Sequence, residues 1–393
     1  MTRKIDYDTI VIGGGIIGLA AAYYSAQTGQ RVLLIEKNHF YHDEGASGGG
    51  DSRMFRVMYS EPELARLAQS SLRLWEQIEK DYGSEIIQRC PLLFFGDESL
   101  GETVEGDFKN IASAMDSLQI SYLRHSATEI KKAFPYFKEV PKSYVGYQQN
   151  NSGAILVQKA LRAFHKLGSS QGVVFRENTT ARIGKITDRS GPYEIEVGSE
   201  KKIATHLIIA PGAWAPEFVS QLGLNLKFSI WQMTYAYFAC EPSLNIPMWY
   251  EFGAEGENGP NLFYGFPRLS ENPKQIKVSV DFTNHKYPSV ENCSRIPDPK
   301  ILDKISAHVE QRFFSVASNK PLKSGTCLYS MPNDFKMILG NVPGYSRISI
   351  LCGEAGRGFK FAPLFGQILA ELAQKQKTDF KIDGLNPLRP GLS

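Results

Sequence analysis

Residues 8–18 read Asp-Thr-Ile-Val-Ile-Gly-Gly-Gly-Ile-Ile-Gly, and this stretch decides the fold. Three of its glycines, Gly13, Gly15 and Gly18, have the spacing G-x-G-x-x-G. The apolar residues 9–12 in front of them predict a buried strand. A glycine turn after a strand is typical of a dinucleotide-binding βαβ unit when a helix and an acidic residue come next.

The helix and the acidic residue both follow the glycine turn. Residues 19–27 predict the helix, and residues 31–35 predict a second strand that ends at Glu36. In such a unit, N–H groups at the helix N-terminus bind a pyrophosphate, whose negative charge the helix dipole favours. The acid accepts hydrogen bonds from a ribose. The alternative is an ordinary βαβ unit with a chance glycine turn. The strand, helix and acid all occur at the expected distances, so the three glycines and Glu36 are predicted to bind a dinucleotide.

The composition is that of a globular enzyme. A length of 393 residues suggests two or three domains. The net charge of +3 does not indicate a nucleic-acid partner. We expect no membrane span, because long apolar runs are lacking, and no signal peptide, because charged residues precede the first strand. A metal site is not expected either. The five cysteines are scattered without a Cys-x-x-Cys pair, which indicates reduced thiols and a cytoplasmic location.

Two kinds of pattern alternate along the chain and predict an α/β fold with two domains. Alternating strands and helices in residues 1–85, 146–225 and 325–393 predict a discontinuous Rossmann-like domain. Residues 86–145 and 226–324 are predicted to form a second domain with a mainly antiparallel sheet, because its strands alternate aromatic and polar residues. Three such strands are predicted at residues 233–238, 261–266 and 276–282. A site between two domains is the usual place for a ligand.

Three further segments connect these units. Residues 45–53 are rich in glycine, which predicts a backbone that passes close to the cofactor. Residues 61–82 predict a long amphipathic helix. Residues 97–107 are polar and acidic, and we expect a mobile loop there.

Four signatures in chain order resemble the monomeric sarcosine oxidase family of FAD-dependent amine oxidases. They are the glycine turn with its acid, Gly50-Asp-Ser-Arg53-Met-Phe-Arg56, Cys327-Leu-Tyr329, and Gly353-Glu-Ala-Gly-Arg-Gly-Phe-Lys360-Phe-Ala-Pro363. The resemblance covers nearly the whole chain. Short segments of the sequence are most similar to the branch of this family that oxidises a cyclic imino acid, piperideine carboxylate, in nikkomycin biosynthesis.

The resemblance implies that FAD is the cofactor and that the sulfur of Cys327 binds it covalently. Such a bond requires a thiolate, and therefore a lowered thiol pKa or a nearby cation. The alternative for Cys327 is a small buried core residue. Further cofactor contacts are implied for Ser52, Arg53, Gly356, Gly358 and Lys360, with Arg53 against the flavin ring.

A second set of residues is implied to bind the substrate. Arg56 and Lys360 would hold its carboxylate through charge-assisted hydrogen bonds, unless they are merely solvated charges. Glu105 would add a carboxylate from the 97–107 loop. Arg357 stands where the family has histidine or tryptophan. It would bind a second acidic group of the substrate, or it would pair with Glu354.

Catalytic roles are implied for residues on the predicted aromatic strands. Lys277 matches the lysine that activates oxygen in sarcosine oxidases, although a solvent-facing lysine is the alternative. Lys277 and Asp281 are four residues apart on a predicted strand, so both should point to one face of the sheet. Asp281 replaces a histidine of sarcosine oxidases and would bind or deprotonate the substrate nitrogen. Tyr264 would line the pocket, and Arg53 would favour the reduced flavin.

The resemblance implies FAD-dependent oxidation of a secondary or cyclic amino or imino acid to an imine, with reduction of oxygen to hydrogen peroxide. The expected partners are this small-molecule substrate and molecular oxygen. One alternative is oxidative demethylation of sarcosine or another N-methyl amino acid. A second alternative is a flavin dehydrogenase that passes electrons to a protein partner.

Overall fold

The computed structural model describes residues 4–45, 48–103, 105–184, 186, 188–256, 259–281 and 285–392. Its α-helices are α1 Ile16–Gln27, α2 Pro62–Tyr82, α3 Phe108–Ser117, α4 Ala127–Ala133, α5 Val157–Ser170, α6 Ala215–Gln221, α7 Pro299–Arg312 and α8 Ala362–Lys375. The strands up to residue 209 are β1 Tyr7–Ile12, β2 Val32–Ile35, β3 Ser52–Phe55, β4 Ile87–Arg89, β5 Leu92–Asp97, β6 Glu102–Thr103, β7 Gly106–Asp107, β8 Leu123–Ser126, β9 Tyr144–Gln149, β10 Gly153–Leu156, β11 Val174–Arg176, β12 Ala181–Ile183, β13 Tyr193–Val197 and β14 Glu200–Ile209. The later strands are β15 Phe228–Ala239, β16 Met248–Gly256, β17 Gly259–Phe266, β18 Gln275–Val280, β19 His285–Tyr287, β20 Lys323–Pro332, β21 Ile338–Asn341 and β22 Ile348–Cys352.

The first sheet has the parallel centre of a Rossmann-like unit. Its order is β11-β2-β1-β14-β13-β12, and β22 pairs with β14 in parallel. Ile10 of β1 lies between Leu33 of β2 and Leu207 of β14, and all three side chains are fully buried. Helix α1 is rich in alanine and packs closely on α8, since a Cβ on Gly366 would lie 2.6 Å from the Cβ of Ala20. The predicted strand–turn–helix–strand unit is confirmed.

The second sheet is larger and mainly antiparallel, as predicted. Its order is β19-β15-β18-β17-β16-β5-β9-β8, and β20 also pairs with β15. Strands β16 and β5 are the parallel neighbours in this order. Strand β18 ends at Val280, so Asp281 follows the strand directly, and the predicted end at Phe282 lies outside the described residues.

Several elements were not predicted from the sequence, among them helices α3 and α4, a short hairpin and helix α7. Residues 97–107 were predicted to be a loop, but Glu102–Thr103 and Gly106–Asp107 pair as a short hairpin, whose turn is closed by a 2.8 Å hydrogen bond from the Thr103 hydroxyl to the Gly106 carbonyl. Helix α7 was not predicted. Its beginning carries an ordinary helix signal, because Asp298 caps it and Pro299 occupies the first turn.

A small third sheet has the strand order β3-β10-β4. It carries Ser52 and Arg53 on β3, next to the glycine-rich loop. In the described part of the chain, no helix is long and apolar enough to cross a membrane.

Candidate active site

A cavity of about 420 Å³ begins at the glycine turn. Gly13 has a φ of 106°, a left-handed conformation that favours glycine, and Gly15 caps the N-terminus of α1. A Cβ on Gly18 would lie 1.8 Å from the Gly13 carbonyl oxygen, so only glycine fits there. The turn and the first N–H groups of α1 therefore offer the anion site that a pyrophosphate needs.

Glu36 lies at the same end of the cavity, as the sequence predicts. Its carboxylate accepts hydrogen bonds from the Gly14 N–H at 2.6 Å and from the Asn38 N–H at 2.8 Å. Burial alone would raise the pKa of Glu36, but these bonds and the nearby His42 hold it below its ordinary value. Glu36 is therefore a charged acceptor, which suits a ribose diol.

The cavity runs from this end toward Gly356 and Gly358, which also line it. Its lining includes the glycine turn at the N-terminus of α1 and the carboxylate of Glu36, and these residues fit FAD. A second, smaller cavity of about 60 Å³ adjoins it. Four residues line both cavities: Arg53, Tyr329, Gly356 and Phe359. This shared wall is the place where the reactive ring of a bound flavin would meet a substrate.

The smaller cavity collects most of the predicted site residues. Lining it are Ser52, Arg53, Arg56, Glu105, Tyr264, Lys277, Asp281, Cys327 and Lys360. They come from loops and strands that are far apart in sequence, and the fold brings them together. The predicted cofactor residues Ser52 and Lys360 border this cavity rather than the larger one among the described lining residues.

Arg56 and Glu105 form a close ion pair inside the smaller cavity. The Arg56 guanidinium also donates a 2.8 Å hydrogen bond to the Met58 carbonyl and lies 4.1 Å from the centre of the Tyr59 ring. Burial alone would raise the pKa of Glu105, but Arg56, followed by Arg357, holds it well below its ordinary value. Glu105 is therefore a buried carboxylate that the chain itself places against the predicted substrate clamp.

Arg357 lies behind Glu105. Its Nε atom is 4.0 Å from Glu105, and its Nη1 atom is 3.6 Å from the more exposed carboxylate of Glu61. Arg357 is not among the described residues that line the smaller cavity. The carboxylates of Glu61 and Glu105 thus lie beside Arg357. The sequence had left a different carboxylate, that of Glu354, as an alternative partner.

Lys360 is buried, and its ammonium nitrogen lies 3.5 Å from the Arg357 carbonyl oxygen. The Lys360 carbonyl is fixed by hydrogen bonds from Ser71 and Trp75 of α2, at 2.7 and 2.9 Å. Burial, aided by Arg56, lowers the pKa of Lys360 to about 7. An anionic ligand would restore its full charge.

Asp281 also lines the smaller cavity, next to Glu105 and just beyond the end of β18. It accepts a 2.9 Å hydrogen bond from the Tyr250 hydroxyl, and the Tyr250 ring is stacked on Tyr264 at 5.7 Å. Burial and the neighbouring Glu105 raise the pKa of Asp281 well above its ordinary value. Asp281 can therefore hold a proton near neutral pH, which is the requirement for an acid or base there.

Lys277 is buried on β18 with its ammonium group inside the same cavity. It donates a 3.1 Å hydrogen bond to the Ser52 carbonyl and lies 4.7 Å from the Tyr235 ring centre. Burial and then Arg53 lower the pKa of Lys277 to about 7. The alternative of a solvent-facing lysine is wrong, because only 5% of this residue is exposed.

Cys327 lies within β20, opposite Met233 of β15. Burial raises the pKa of its thiol, while Arg53 and Lys277 act in the opposite direction. Of the two conditions for thiolate formation, the thiol therefore meets the second, a nearby cation. Its position on both the sheet and the smaller cavity is compatible with a bond to a flavin.

Several residues of the site escaped the sequence analysis. Tyr250 lies on the unpredicted parallel pairing of β16 with β5, and Glu61 caps helix α2. Asp51 was quoted within a signature but was given no role. Among the described residues, no group of three or more His, Cys, Asp or Glu side chains is placed to hold a metal ion.

The comparisons with known proteins agree with this geometry. A family model described as FAD dependent oxidoreductase matches residues 8–372. Monomeric sarcosine oxidase from Arthrobacter sp. (strain TE1826) is 28% identical over 410 residues, which is 100% of this chain and 98% of that protein. The structure of NikD, an amino acid oxidase essential for nikkomycin biosynthesis, has a TM-score of 0.88, 28% identity and 98% coverage of both chains. A longer Dictyostelium discoideum protein, named for a bifunctional amine oxidase, is 29% identical, and the chain spans 37% of its length. The glycine turn, the two adjoining cavities and the family match together show that the chain belongs to the FAD-dependent oxidoreductases.

Proposed function

We propose that this enzyme oxidises a secondary or cyclic amino or imino acid to an imine and reduces oxygen to hydrogen peroxide. The carrying observation is the set of groups that line the smaller cavity, which are the cations Arg56 and Lys360, the carboxyl group of Asp281 and a wall shared with the FAD cavity. The names of the sarcosine oxidase and NikD relatives support an amino acid substrate.

The cations that would bind the substrate in the smaller cavity are Arg56 and Lys360. Both are buried, so the carboxylate of a substrate would replace lost hydration with charge-assisted hydrogen bonds. Its negative charge would also raise the pKa of Lys360 back toward the ordinary value. Binding of the carboxylate would leave the α-carbon and the nitrogen pointing away from the clamp, toward the shared wall.

The acid or base of this proposal is Asp281, held by a hydrogen bond from the Tyr250 hydroxyl. An ionised Asp281 would accept a hydrogen bond or a proton from the substrate nitrogen, which prepares the amine for oxidation. Bound FAD supplies the acceptor for the hydride of the neighbouring C–H bond. Two electrons and two protons thus leave the CH–NH group and are recovered in hydrogen peroxide.

Oxygen reduction is assigned to the Lys277 side of the cavity. A buried ammonium group stabilises negative charge that develops on oxygen, and Arg53 adds a second positive charge nearby. Covalent attachment of the cofactor through Cys327 is part of the proposal. The two-domain division into residues 1–85, 146–225 and 325–393 against 86–145 and 226–324 is part of it too, as is a cytoplasmic location.

The sarcosine alternative keeps the same clamp and changes only the amine. Its support is the set of sarcosine oxidase relatives, whereas Asp281 and Glu105 favour a protonated ring nitrogen. The dehydrogenase alternative would leave the buried Lys277 without a role.

Steady-state peroxide production tests the proposal. Purified yellow protein would be supplied with sarcosine, pipecolate or piperideine-2-carboxylate under air, and we expect the highest kcat/KM for one of the cyclic acids. A higher value for sarcosine would favour the demethylation alternative. Flavin reduction by these acids without peroxide under air would favour the dehydrogenase.

A further inference from the structure

We propose that Asp51 is a positioning residue that fixes Lys277 and maintains its positive charge for the reaction with oxygen. The inference rests on the proposed function, which assigns Lys277 to oxygen. Its basis is the set of interactions that residues 50–52 make around the ammonium group of Lys277.

Residues 50, 51 and 52 each affect the surroundings of Lys277 in a different way. The Ser52 carbonyl accepts the hydrogen bond from the ammonium group at 3.1 Å. Gly50 has a φ of 71°, and a Cβ there would lie 2.9 Å from the ammonium nitrogen. A side chain at position 50 would therefore crowd the Lys277 ammonium group, and glycine avoids this. Asp51, between them, contributes the negative charge.

The Asp51 carboxylate is held by the sheet that carries Lys277. It accepts hydrogen bonds from the Tyr237 hydroxyl at 2.7 Å, the Asn272 amide at 3.1 Å and the Gln275 amide at 3.4 Å. The Tyr237 hydroxyl also accepts a 3.0 Å bond from the Asp51 N–H. Tyr237 is the register partner of Lys277 on β15, and Gln275 precedes Lys277 by two residues on β18.

These bonds join the glycine-rich loop to the strands on either side of Lys277. A loop anchored in this way keeps the Ser52 carbonyl at hydrogen-bonding distance from the ammonium group. Since the same loop leads into Arg53 on the shared wall, the distance between the lysine and the flavin site depends on this anchor.

The charges around Lys277 explain why an anion is needed there. The charged and titratable groups that face it are Asp51, Arg53, Tyr235, Tyr237, Lys323 and Cys327. Arg53 and Lys323 oppose the positive charge of Lys277, whereas Asp51 and Cys327 favour it. Cys327 would lose its ionisable thiol in a covalent bond to the flavin. Asp51 would then be the main group in this set that keeps the lysine protonated.

The test compares the wild type with Asp51→Asn, Tyr237→Phe, Lys277→Met and the double variant Asp51→Asn/Lys277→Met. Each holoenzyme is reduced photochemically without substrate and mixed with oxygen in a stopped-flow instrument over a range of pH. Asparagine keeps the shape of Asp51 and removes its charge. We expect reoxidation by Asp51→Asn to lose its fast phase at lower pH than the wild type, with rates above neutral pH reduced about tenfold for each unit of lowered lysine pKa.

Tyr237→Phe removes one anchor and keeps the charge, so it should slow reoxidation without moving the pH dependence as far. In the Lys277→Met background, Asp51→Asn should produce no further slowing, because its effect acts through the lysine. A direct readout is the ¹⁵N resonance of the Lys277 ammonium group in the oxidised holoenzyme, identified by its loss in Lys277→Met. Its titration should move to lower pH in Asp51→Asn.

The possible failures can be told apart. If Lys277→Met reoxidises as fast as the wild type, the assignment of Lys277 to oxygen, and with it this part of the proposed function, is wrong. If Lys277→Met is slow but Asp51→Asn matches the wild type in rate and ammonium titration, the inference about Asp51 is wrong. Equal slowing by Asp51→Asn with and without Lys277 would also overturn it, since the effect would then bypass the lysine.

Discussion

The carboxylate of Glu105 is bonded to the guanidinium of Arg56 inside the smaller cavity. The chain thus places one of its own carboxylates at the residue that the sequence assigns to the carboxylate of the substrate. Glu105 lies in the turn of the β6–β7 hairpin, and Arg357 and Glu61 continue the row of alternating charges outward. An incoming carboxylate must share Arg56 with Glu105 or replace it.

The first prediction concerns this competition. Glu105→Gln removes the negative charge and keeps the size, so simple carboxylate inhibitors should bind about tenfold more tightly, which corresponds to about 1.4 kcal/mol. Titration of the flavin spectrum with such an inhibitor measures the effect. Glu105→Asp keeps the charge and serves as the control. Weaker binding of the inhibitor to Glu105→Gln would contradict a competition between Glu105 and the ligand for Arg56.

The same substitution should also change the dependence of stability on pH. The pKa of Glu105 is lower in the folded chain, so its ion pairs stabilise the fold above its unfolded pKa and are lost as the pH falls through the folded value. Thermal unfolding of the wild type should therefore show a loss of stability on acidification that is smaller in Glu105→Gln. Identical slopes for the two proteins would contradict this reading of the ion pair.

The second prediction tests the other half of the clamp. Lys360→Met removes a buried ammonium group, and carboxylate binding should weaken by about 2–5 kcal/mol, as is typical when one partner of a buried charged pair is lost. Lys360→Arg, which keeps the charge, should recover part of the affinity. The measurement is the Kd of a carboxylate inhibitor, and an unchanged Kd in Lys360→Met would remove Lys360 from the clamp.

The third prediction concerns Asp281. Because burial and Glu105 raise its pKa, the proton should leave Asp281 only as the pH rises toward and beyond neutrality. If the ionised form takes the substrate proton, kcat/KM should rise over this range and then level. Asp281→Asn should abolish that rise and lower kcat/KM by about 10²–10⁴-fold, the usual contribution of a general base. A rise of equal size in the variant would assign the pH dependence to another group.

The fourth prediction concerns Cys327. Acid precipitation of the wild type should leave the yellow colour in the pellet, and the same treatment of Cys327→Ser should release it to the supernatant. Cys352→Ser is a suitable control, because Cys352 is buried on β22 in the first sheet. Colour in the wild-type supernatant would show that the cofactor is held without a covalent bond.

The parts that the sequence predicts well are governed by local rules. The glycine turn, its helix and Glu36 are specified by residues close to one another in the chain, and they lie where they were predicted. Alternation along β18 likewise places Lys277 and Asp281 on one face. Local rules of this kind therefore predict the position of a residue before its distant neighbours are known.

The parts that escaped prediction depend on pairings between distant segments. Tyr250 reaches Asp281 because β16 lies beside β17 in the sheet, and no pattern in residues 248–256 specifies that neighbour. Glu105 reaches Arg56 because a hairpin forms in a segment whose composition resembles a loop. The anchoring of Asp51 likewise requires strands β15 and β18 to be adjacent.

Strand β18 carries Lys277 near its beginning, and Asp281 follows directly after its end. In the proposed function, one segment would therefore serve both the reaction with oxygen and the reaction with the amine. A shift of one residue in its pairing would turn both groups to the opposite face at once. Changes inside the strand should then impair both half-reactions together. The two rates can be tuned separately only through the partners of each end, which are the glycine-rich loop for the lysine and the Tyr250 hydroxyl for the aspartate.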